Sequence, residues 1–170
     1  MTPGTTTIWY RAPELLLGTT QYAMSVDVWS AGCILGELLI QKPVLPGNNE
    51  FEQLDLIVNL IGTPNDTIWP GWRGLPHARD YKPRDQRFST LHRRFKEFGE
   101  ATVQLLNSCL TYDPSKRTAV HRALQSEWFT ESPRPAKEEG LPTFPESRNE
   151  KARSHGSTEE YIFDAKKRKI

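Results

Sequence analysis

Four stretches of this sequence bring together residue types that can do chemistry. Residues 5–14, TTTIWYRAPE, join three threonines and two aromatic rings to an arginine and a glutamate, while residues 112–117, YDPSKR, end in two basic side chains. Residues 25–35, SVDVWSAGCIL, carry an acid near their start, and LPGNN and GTPNDTIWPG, at 45–49 and 62–71, are rich in turn residues. With the preceding MTPG, the first of these stretches has the composition of a binding loop.

Each stretch also has an ordinary structural explanation. An acid such as Asp27 is favoured in the first turn of a helix, where it complements the helix dipole. Arg117 is explained equally well as a hydrated surface charge, and Trp69 and Trp72 as core residues. No single stretch identifies a function, and only the order and spacing of the four together can do so.

Composition narrows the classes of function. Cys33 and Cys109 lie in apolar helical contexts, which favours buried free thiols over a disulfide. The four histidines are scattered without metal-ligand spacing, so no metal site is predicted. The net charge of +1 gives no global field for nucleic acid or an acidic membrane, and no apolar run is long enough to cross a bilayer. Met1 is followed by Thr-Pro-Gly rather than a secretory signal, so we expect a soluble intracellular protein.

The candidate residues need helices to position them. Apolar periodicity and turn residues predict helices at about 12–17, 26–40, 50–61, 98–110 and 119–126. Ser25 is the predicted N-cap of the second helix, which is apolar almost all round and is therefore expected to be the buried spine of the domain. Residues 63–92 show no periodicity, and a long irregular insert of this kind is more often functional than not. The chain after Glu131 is rich in charge and proline, and we expect it to be mostly disordered.

The order and spacing of the four stretches resemble the C-terminal lobe of a eukaryotic protein kinase. That family carries an A-P-E motif after its activation loop, here Ala12-Pro13-Glu14. WYRAPELLLG and the IWPG insert resemble the cyclin-dependent kinases, and LDLIVNLIGTP, QKPVLPG and LPTFPESRN are closest to the subgroup of cyclin-dependent kinase ten and its PITSLRE-type relatives. The resemblance covers residues 1–148 and implies a mainly α fold, the large lobe of a parent kinase that is α+β.

The resemblance also divides the chain. It implies that residues 1–18 form the end of the activation loop, the substrate loop and the A-P-E motif, 19–131 the helical lobe with its insert, and 132–170 a charged tail. The sequence contains no Gly-rich loop, H-R-D-x-x-x-x-N or D-F-G motif, which in the family hold ATP, magnesium and the catalytic aspartate. We therefore expect ATP and magnesium to serve the parent kinase, and no catalytic residue, metal ligand or bound cofactor in this chain.

Residues of the first stretch acquire roles from the resemblance. Thr2 matches the activating phosphothreonine, whose phosphate orders the loop by pairing with arginines that the family carries upstream. Thr7 matches the threonine that hydrogen-bonds the catalytic aspartate and its lysine neighbour. Thr5, Thr6 and Arg11 match the wall that favours proline immediately after the phospho-acceptor. Valines usually stand in the family where Thr5 and Thr6 are, which leaves the strictness of proline selection open.

Two further matches concern the scaffold. Glu14 and Arg117 match a buried ion pair of the family, and a bidentate pair there would hold the loop and the helices in register. Asp27 matches a buried aspartate that accepts hydrogen bonds from the catalytic-loop backbone. Without those donors we expect a buried Asp27 to destabilise the fold by a few kcal/mol. The helix at 26–40 is likewise expected to show an apolar patch where the family packs another helix.

The implied partners are proteins. Residues 63–83 match an insert that can dock small regulatory subunits, with Trp69, Asp80, Tyr81 and Lys82 as candidate docking residues. The alternative is that this insert only caps the lobe. A cyclin is the further implied partner, through a helix that the family carries in its other half, and no nucleic acid or membrane is implied.

Three hypotheses for the function follow. The first is part of a cyclin-dependent kinase that phosphorylates serine or threonine followed by proline. The second is a truncated, non-catalytic module that competes for kinase regulators or substrates, and the third is an unrelated helical domain with chance motif matches. The basic cluster KKRK at 166–169, together with the family, favours the nucleus over the cytoplasm, although such a cluster is also found in solvated tails.

Overall fold

The computed structural model describes residues 8–83, 85–132 and 134, and this part of the chain is helical without a β-strand. Thr2, Thr5, Thr6, Thr7 and the tail from 135 onward lie outside the described residues. The α-helices are α1 (Pro13–Leu16), α2 (Ser25–Ile40), α3 (Glu50–Ile61), α4 (Leu91–Phe95), α5 (Glu100–Cys109) and α6 (Val120–Ala123). Short 3₁₀ turns lie at Trp72–Gly74, Lys96–Phe98 and Glu127–Phe129. The predicted mainly α lobe is confirmed.

Helix α2 lies at the centre of the fold, but it is less buried than we predicted from the sequence. Trp29 and Cys33 are buried in the main core, and Gly32 packs closely against α5. On the opposite face, Ile34 and Leu38 are 50% and 64% exposed. The expectation of a helix buried all round is therefore wrong, whereas the expected apolar patch on one of its faces is present.

The start of α2 also differs from the prediction. Ser25 is the first residue of the helix rather than its cap, because Met24 occupies the capping position and no side chain caps the first turn. The carbonyl of Ser25 instead accepts a hydrogen bond from Arg117. The choice of serine here is thus not explained by helix capping.

Helix α3 has the bounds that its periodicity predicts. The side chain of Asn49 accepts a hydrogen bond from the Glu52 backbone N–H at 2.9 Å, which caps the N-terminus. The helix ends at Ile61 and is followed by Gly62, whose φ of 90° lies in the region that favours glycine. The first turn of α3 is therefore fixed firmly enough to present side chains to a neighbouring loop.

The C-terminal half has shorter helices than predicted. The predicted helix at 98–110 is α5, which begins at Glu100, and the predicted helix at 119–126 shrinks to the four residues of α6. Helix α4 was missed, because five residues are too few to show a period. It nevertheless contributes Phe95, which is fully buried.

The insert between α3 and α4 is built on stacked aromatic rings. Trp69 lies 5.3 Å from Tyr112 and 6.3 Å from Trp72 between ring centroids, with nearly parallel planes. The Tyr112 hydroxyl donates to the Gly62 carbonyl at 2.7 Å. These contacts fasten the irregular segment to the lobe. Among the described helices, none has the length and apolar character needed to cross a membrane.

Candidate functional site

The ion pair predicted between Glu14 and Arg117 is present and buried. The two guanidinium nitrogens donate to the two carboxylate oxygens at 2.8 and 2.9 Å, a bidentate geometry. Glu14 is 4% exposed and Arg117 is 6% exposed. The pair joins α1 to the loop after α5, across 103 positions of sequence.

The remaining donors of Arg117 are also used. Its Nε donates to the Thr111 carbonyl at 3.1 Å, and its two terminal nitrogens donate to the carbonyls of Ser25 at 2.7 Å and Tyr112 at 3.3 Å. The guanidinium also lies 5.3 Å from the centre of the Trp29 ring, within cation–π distance. A buried cation with every N–H satisfied is a rigid junction, because any displacement leaves a donor without a partner.

Residues 8–12, immediately before α1, form a short loop that lies across α2 and α3. The Tyr10 hydroxyl donates to Glu37 at 2.7 Å, and the Ser30 hydroxyl on α2 donates to the Tyr10 carbonyl at 2.9 Å. The hydrogen bond to Glu37, followed by burial, raises the pKa of Tyr10. The phenol therefore stays protonated and remains a donor at neutral pH.

A second set of contacts holds the same loop to α3. The Trp9 indole N–H donates to the Gly47 carbonyl at 3.0 Å, and the Gln53 side-chain amide donates to the Trp9 carbonyl at 3.1 Å. Arg11, which the sequence placed in the substrate wall, pairs with Glu50 at 2.9 Å, with the two side chains 30% and 55% exposed. Both the backbone and the basic side chain of the loop are thus fixed by one helix.

Asp27 is not buried as the family resemblance predicted, whereas its match to the anchor of the catalytic loop stays a prediction. Its side chain is exposed in the first turn of α2, at the edge of an apolar groove whose walls include Ile34 and Leu38. An exposed carboxylate keeps its hydration, so the expected destabilisation by a buried, unpaired Asp27 does not arise. That expectation is wrong for this structure.

The groove beside Asp27 is apolar and has a volume of about 540 Å³. It lies between α2, α5, α6 and the last 3₁₀ turn. Its walls include Ile34, Leu38, Leu105, Leu124 and Trp128.

The four docking candidates of the insert divide into two buried and two exposed residues. Trp69 and Tyr81 are 4% and 6% exposed, and the Tyr81 hydroxyl donates to Asp55 at 2.9 Å. Burial, together with that hydrogen bond, raises the pKa of Tyr81. Asp80 and Lys82 are exposed. Trp69 and Tyr81 therefore cap the lobe, and a partner at this insert would meet Asp80 and Lys82 instead.

Both cysteines are free and buried, as the sequence predicted. Burial raises the pKa of Cys33 to about 12 and also raises the pKa of Cys109. Neither thiol is therefore an activated nucleophile at neutral pH. Within residues 8–83, 85–132 and 134, no three His, Cys, Asp or Glu side chains are grouped to hold a metal ion.

Sequence reasoning missed the residues that hold the loop. Gly47, Gln53, Ser30 and Glu37 lie 20 to 44 positions from their partners in the loop. Such pairs leave no local pattern in a single sequence. One signal was available, a glutamine at a position of α3 where helical spacing calls for an apolar residue.

Comparison with known proteins gives a consistent result. Residues 1–129 match the model of the protein kinase domain. The chain is 51% identical over 152 residues to cyclin-dependent kinase 10 of Rattus norvegicus and 49% identical over 152 residues to that of Homo sapiens, in each case covering 89% of this chain. It is also 47% identical over 147 residues to cyclin-dependent kinase G-2 of Oryza sativa subsp. indica, covering 82% of this chain and 21% of that protein.

A solved structure has the same fold. The crystal structure of the yeast RNA Pol II CTD kinase CTDK-1 complex contains a chain that matches with a TM-score of 0.73 and 38% identity. The match covers 76% of this chain and 44% of that chain. The chain described here likewise spans 42% of the length of the cyclin-dependent kinase 10 sequences.

Proposed function

This chain belongs to the protein kinase domain family, and from that premise we propose that it forms the substrate-docking half of a cyclin-dependent kinase that phosphorylates serine or threonine followed by proline. The observation that supports this most directly is the fixed backbone of Trp9 and Tyr10. A peptide can be read only by a loop whose carbonyls and side chains keep their positions. The Glu14–Arg117 pair anchors the adjacent helix α1, so the described residues of the loop are held by α2 and α3 on one side and by α1 on the other.

The proposed specificity has a physical basis in what proline lacks. In this family, the wall matched by Thr5, Thr6 and Arg11 presents no carbonyl that can accept from the backbone N–H of the residue after the phospho-acceptor, so an ordinary residue there leaves its N–H unpaired. Proline has no N–H and loses nothing there. An unmet buried group costs roughly 1–3 kcal/mol, so an intact wall should favour proline by about tenfold or more. Thr5 and Thr6 put this preference under test, because a hydroxyl that accepted from the N–H of another residue would weaken it.

ATP and magnesium belong in this proposal to the kinase as a whole. The described residues contain no group of three His, Cys, Asp or Glu side chains that could hold a metal ion. What this chain would contribute is the docking loop, the phosphorylated Thr2 that orders it, and an insert with Asp80 and Lys82 exposed for a regulatory subunit. By itself the chain would neither bind ATP–magnesium nor transfer phosphate.

The test is a peptide array with the full-length kinase that contains this sequence, purified with its cyclin and phosphorylated at Thr2. We expect about tenfold faster phosphorylation with proline than with alanine after the acceptor. Thr2→Val is the control for dependence on the activating phosphate. Thr5→Val with Thr6→Val should strengthen the preference for proline, and equal rates with proline and alanine in the unaltered kinase would remove the proline-directed assignment.

A second candidate function is a non-catalytic binding module. The apolar groove of α2, with Ile34 and Leu38 exposed, favours it because such a surface suits another protein. Reading the transcript upstream of the Met1 codon separates the two candidates. In-frame H-R-D and D-F-G codons would support the kinase, and an independent start with its own promoter would support the module.

We also propose a nuclear location on the basis of the KKRK cluster at 166–169. The test is the distribution of a fluorescent fusion of the full chain, with the four basic residues changed to alanine in a second fusion. Loss of nuclear enrichment in that variant supports the assignment. An unchanged distribution would reduce the cluster to a solvated tail.

A further inference from the structure

We propose that Gln53 is a positioning residue for the substrate loop, acting through a closed ring of three hydrogen bonds with Trp9 and Gly47. The inference rests on the proposed function in one respect, the assignment of the loop to substrate docking. The ring itself is a property of the described residues. It gives helix α3 a task in substrate selection that its periodicity does not reveal.

The ring passes through three separate segments of the chain. The Trp9 indole N–H donates to the Gly47 carbonyl at 3.0 Å, and the Gly47 backbone N–H donates to the Gln53 side-chain carbonyl at 3.0 Å. The Gln53 side-chain amide closes the ring by donating to the Trp9 carbonyl at 3.1 Å. Each residue donates once and accepts once, so loss of any member leaves a donor and an acceptor unmet.

The burial of Gln53 indicates that its side-chain amide has a specific structural role. The residue is 0% exposed and lies beside Leu54, Ile57 and Val58, which are buried apolar residues of the same helix. A methionine would fill the same volume without needing hydrogen-bond partners. The amide is therefore explained by the loop it holds, since a buried polar group is stable only when it is paired.

Gly47 is required by the same geometry. A Cβ on this residue would lie 2.5 Å from the Gln53 side-chain oxygen and 2.8 Å from the Gln53 backbone nitrogen and Cα. Two of those contacts are with the backbone of a helix, which cannot give way as the end of a flexible side chain can. Glycine is thus the residue that allows the loop at 45–49 to approach α3 closely enough to complete the ring.

The ring fixes the part of the loop that faces substrate in the proposed function. The Trp9 carbonyl lies two residues before Arg11, whose side chain pairs with Glu50 on the same helix at 2.9 Å. Helix α3 therefore sets both the backbone direction of the loop and the position of its basic side chain. Without Gln53 the Trp9 carbonyl loses its partner and the loop gains freedom, so selection at the residue after the phospho-acceptor becomes less strict.

The test compares the full-length kinase complex with its Gln53→Met variant on peptides that vary only after the phospho-acceptor. The measured quantity is the ratio of kcat/KM for the preferred residue to that for alanine. This ratio does not depend on the fraction of active enzyme, so a general loss of stability leaves it unchanged. We expect the ratio to fall roughly five- to tenfold, the effect of one or two lost hydrogen bonds, with the KM for ATP unchanged.

The matched control is Gln104→Met, the same substitution at an exposed position of α5, which should leave the ratio as it is. An unchanged ratio in Gln53→Met overturns the proposal. If the unaltered kinase prefers a residue other than proline, the proposed proline specificity fails, while loss of that other preference in Gln53→Met still supports the positioning role.

A second measurement tests the hydrogen-bond ring directly if the complex has no kinase activity. In the 170-residue chain, hydrogen exchange of the Trp9 indole N–H is followed by NMR in both variants. Exchange about tenfold faster in Gln53→Met than in Gln104→Met supports the ring, since the amide that closes it is gone. Equal exchange overturns it. If Gln53→Met does not fold, Gly47→Ala is measured in its place, with the same reading of both outcomes.

Discussion

At the scale of single residues, the Arg117 side chain connects several parts of the described fold through its hydrogen bonds. Its five N–H bonds meet one carboxylate and three backbone carbonyls. An arginine suits this position because its planar fork can reach all of these acceptors at once, whereas a lysine presents a single ammonium group. The residue is therefore a junction between α1, the start of α2 and the loop after α5.

Replacing either partner of this buried pair should destabilise the chain strongly. Arg117→Met or Glu14→Gln strands the remaining polar groups, at a cost on the order of 3–5 kcal/mol in the free energy of unfolding. The measurement is urea denaturation followed by circular dichroism. Arg73→Met is the matched control, because the Arg73–Asp66 pair is 68% and 70% exposed and such pairs contribute about 1 kcal/mol or less. Similar losses in Arg117→Met and Arg73→Met would contradict this account.

The buried cysteines are expected to react slowly with thiol reagents. The pKa of Cys33 is raised by burial from 9.0 to about 12, so almost no thiolate forms in the native chain at pH 8. We expect a disulfide reagent to react far more slowly with the native than with the unfolded chain, and to reach Cys109 before Cys33 because Cys109 lines the apolar groove. Single Cys→Ser variants identify which thiol reacts.

The same shift has a consequence for stability in alkali. The pKa of Cys33 is higher in the folded chain than in the unfolded chain, so raising the pH ionises the unfolded chain first. The contribution of the protonated Cys33 thiol to the free energy of unfolding is therefore complete below pH 9.0 and is lost as the pH rises toward 12. Comparing the alkaline unfolding of Cys33→Ser with that of the unaltered chain checks the sign. A variant that loses stability just as steeply between these pH values would show that Cys33 is not responsible.

The sequence predicted some of these residues and missed others for a physical reason. Glu14 and Arg117 belong to motifs with a fixed order, so their meeting could be predicted across a long separation. Gln53 belongs to no such motif, and its partner Trp9 lies 44 positions away. Asp27 was expected to be buried, and its exposure depends on which neighbouring elements cover α2, which residue types alone do not state.

At the scale of elements, the contact between α2 and α5 depends on Gly32. A Cβ at this position would lie 2.8 Å from the Cβ of Cys109 and 3.1 Å from a methyl group of Leu110. Glycine weakens a helix, but here it lets two helices approach closely. Helix propensity and packing therefore oppose each other at one residue.

We expect the free-energy cost of overpacking at this position to exceed the gain in helix propensity. Gly32→Ala gains about 1 kcal/mol of helix propensity but is expected to lose about 1–3 kcal/mol by overpacking against α5, so the net effect is a loss of stability. Thermal unfolding measures it. Ala31→Gly, at the exposed neighbouring position, reports the propensity term alone. A Gly32→Ala chain more stable than the parent would show that α5 moves aside without cost.

The success of helix prediction varied with helix length. Helix α3 was predicted with the right bounds because twelve residues display a full apolar period and end at a glycine. Helices α4 and α6 have five and four residues, and segments of that length are held by tertiary contacts rather than by their own periodicity. Stacking of Trp69 on Tyr112 likewise joins the insert to the lobe through residues that only the fold brings together.

At the scale of the whole molecule, the described part of the chain presents one large apolar groove beside α2. Ile34, Leu38 and Leu124 are 50%, 64% and 62% exposed on its walls. Exposed apolar surface of this kind drives association in water. The lobe was predicted from its motifs, whereas the extent of this surface follows only from the way α2, α5 and α6 pack.

Polar substitution on the groove should therefore reduce self-association of the purified chain. Leu38→Gln with Ile34→Gln is expected to shift the sedimentation profile toward the monomer without lowering the thermal midpoint, since both side chains already meet solvent. Phe88→Gln is the control, because Phe88 is 87% exposed outside the residues that line the groove. Equal effects of the two sets of changes would assign association to general hydrophobicity rather than to this surface.

The long separation of Glu14 and Arg117 also has a kinetic meaning. Closing a loop of 103 positions has an entropic cost that is met only after most of the chain has condensed. We therefore expect the pair to form late, after the transition state for folding. Breaking it would then leave the folding rate nearly unchanged and speed unfolding. The pair would then lengthen the lifetime of the native lobe, and with it the resistance to proteases that act on the opened chain.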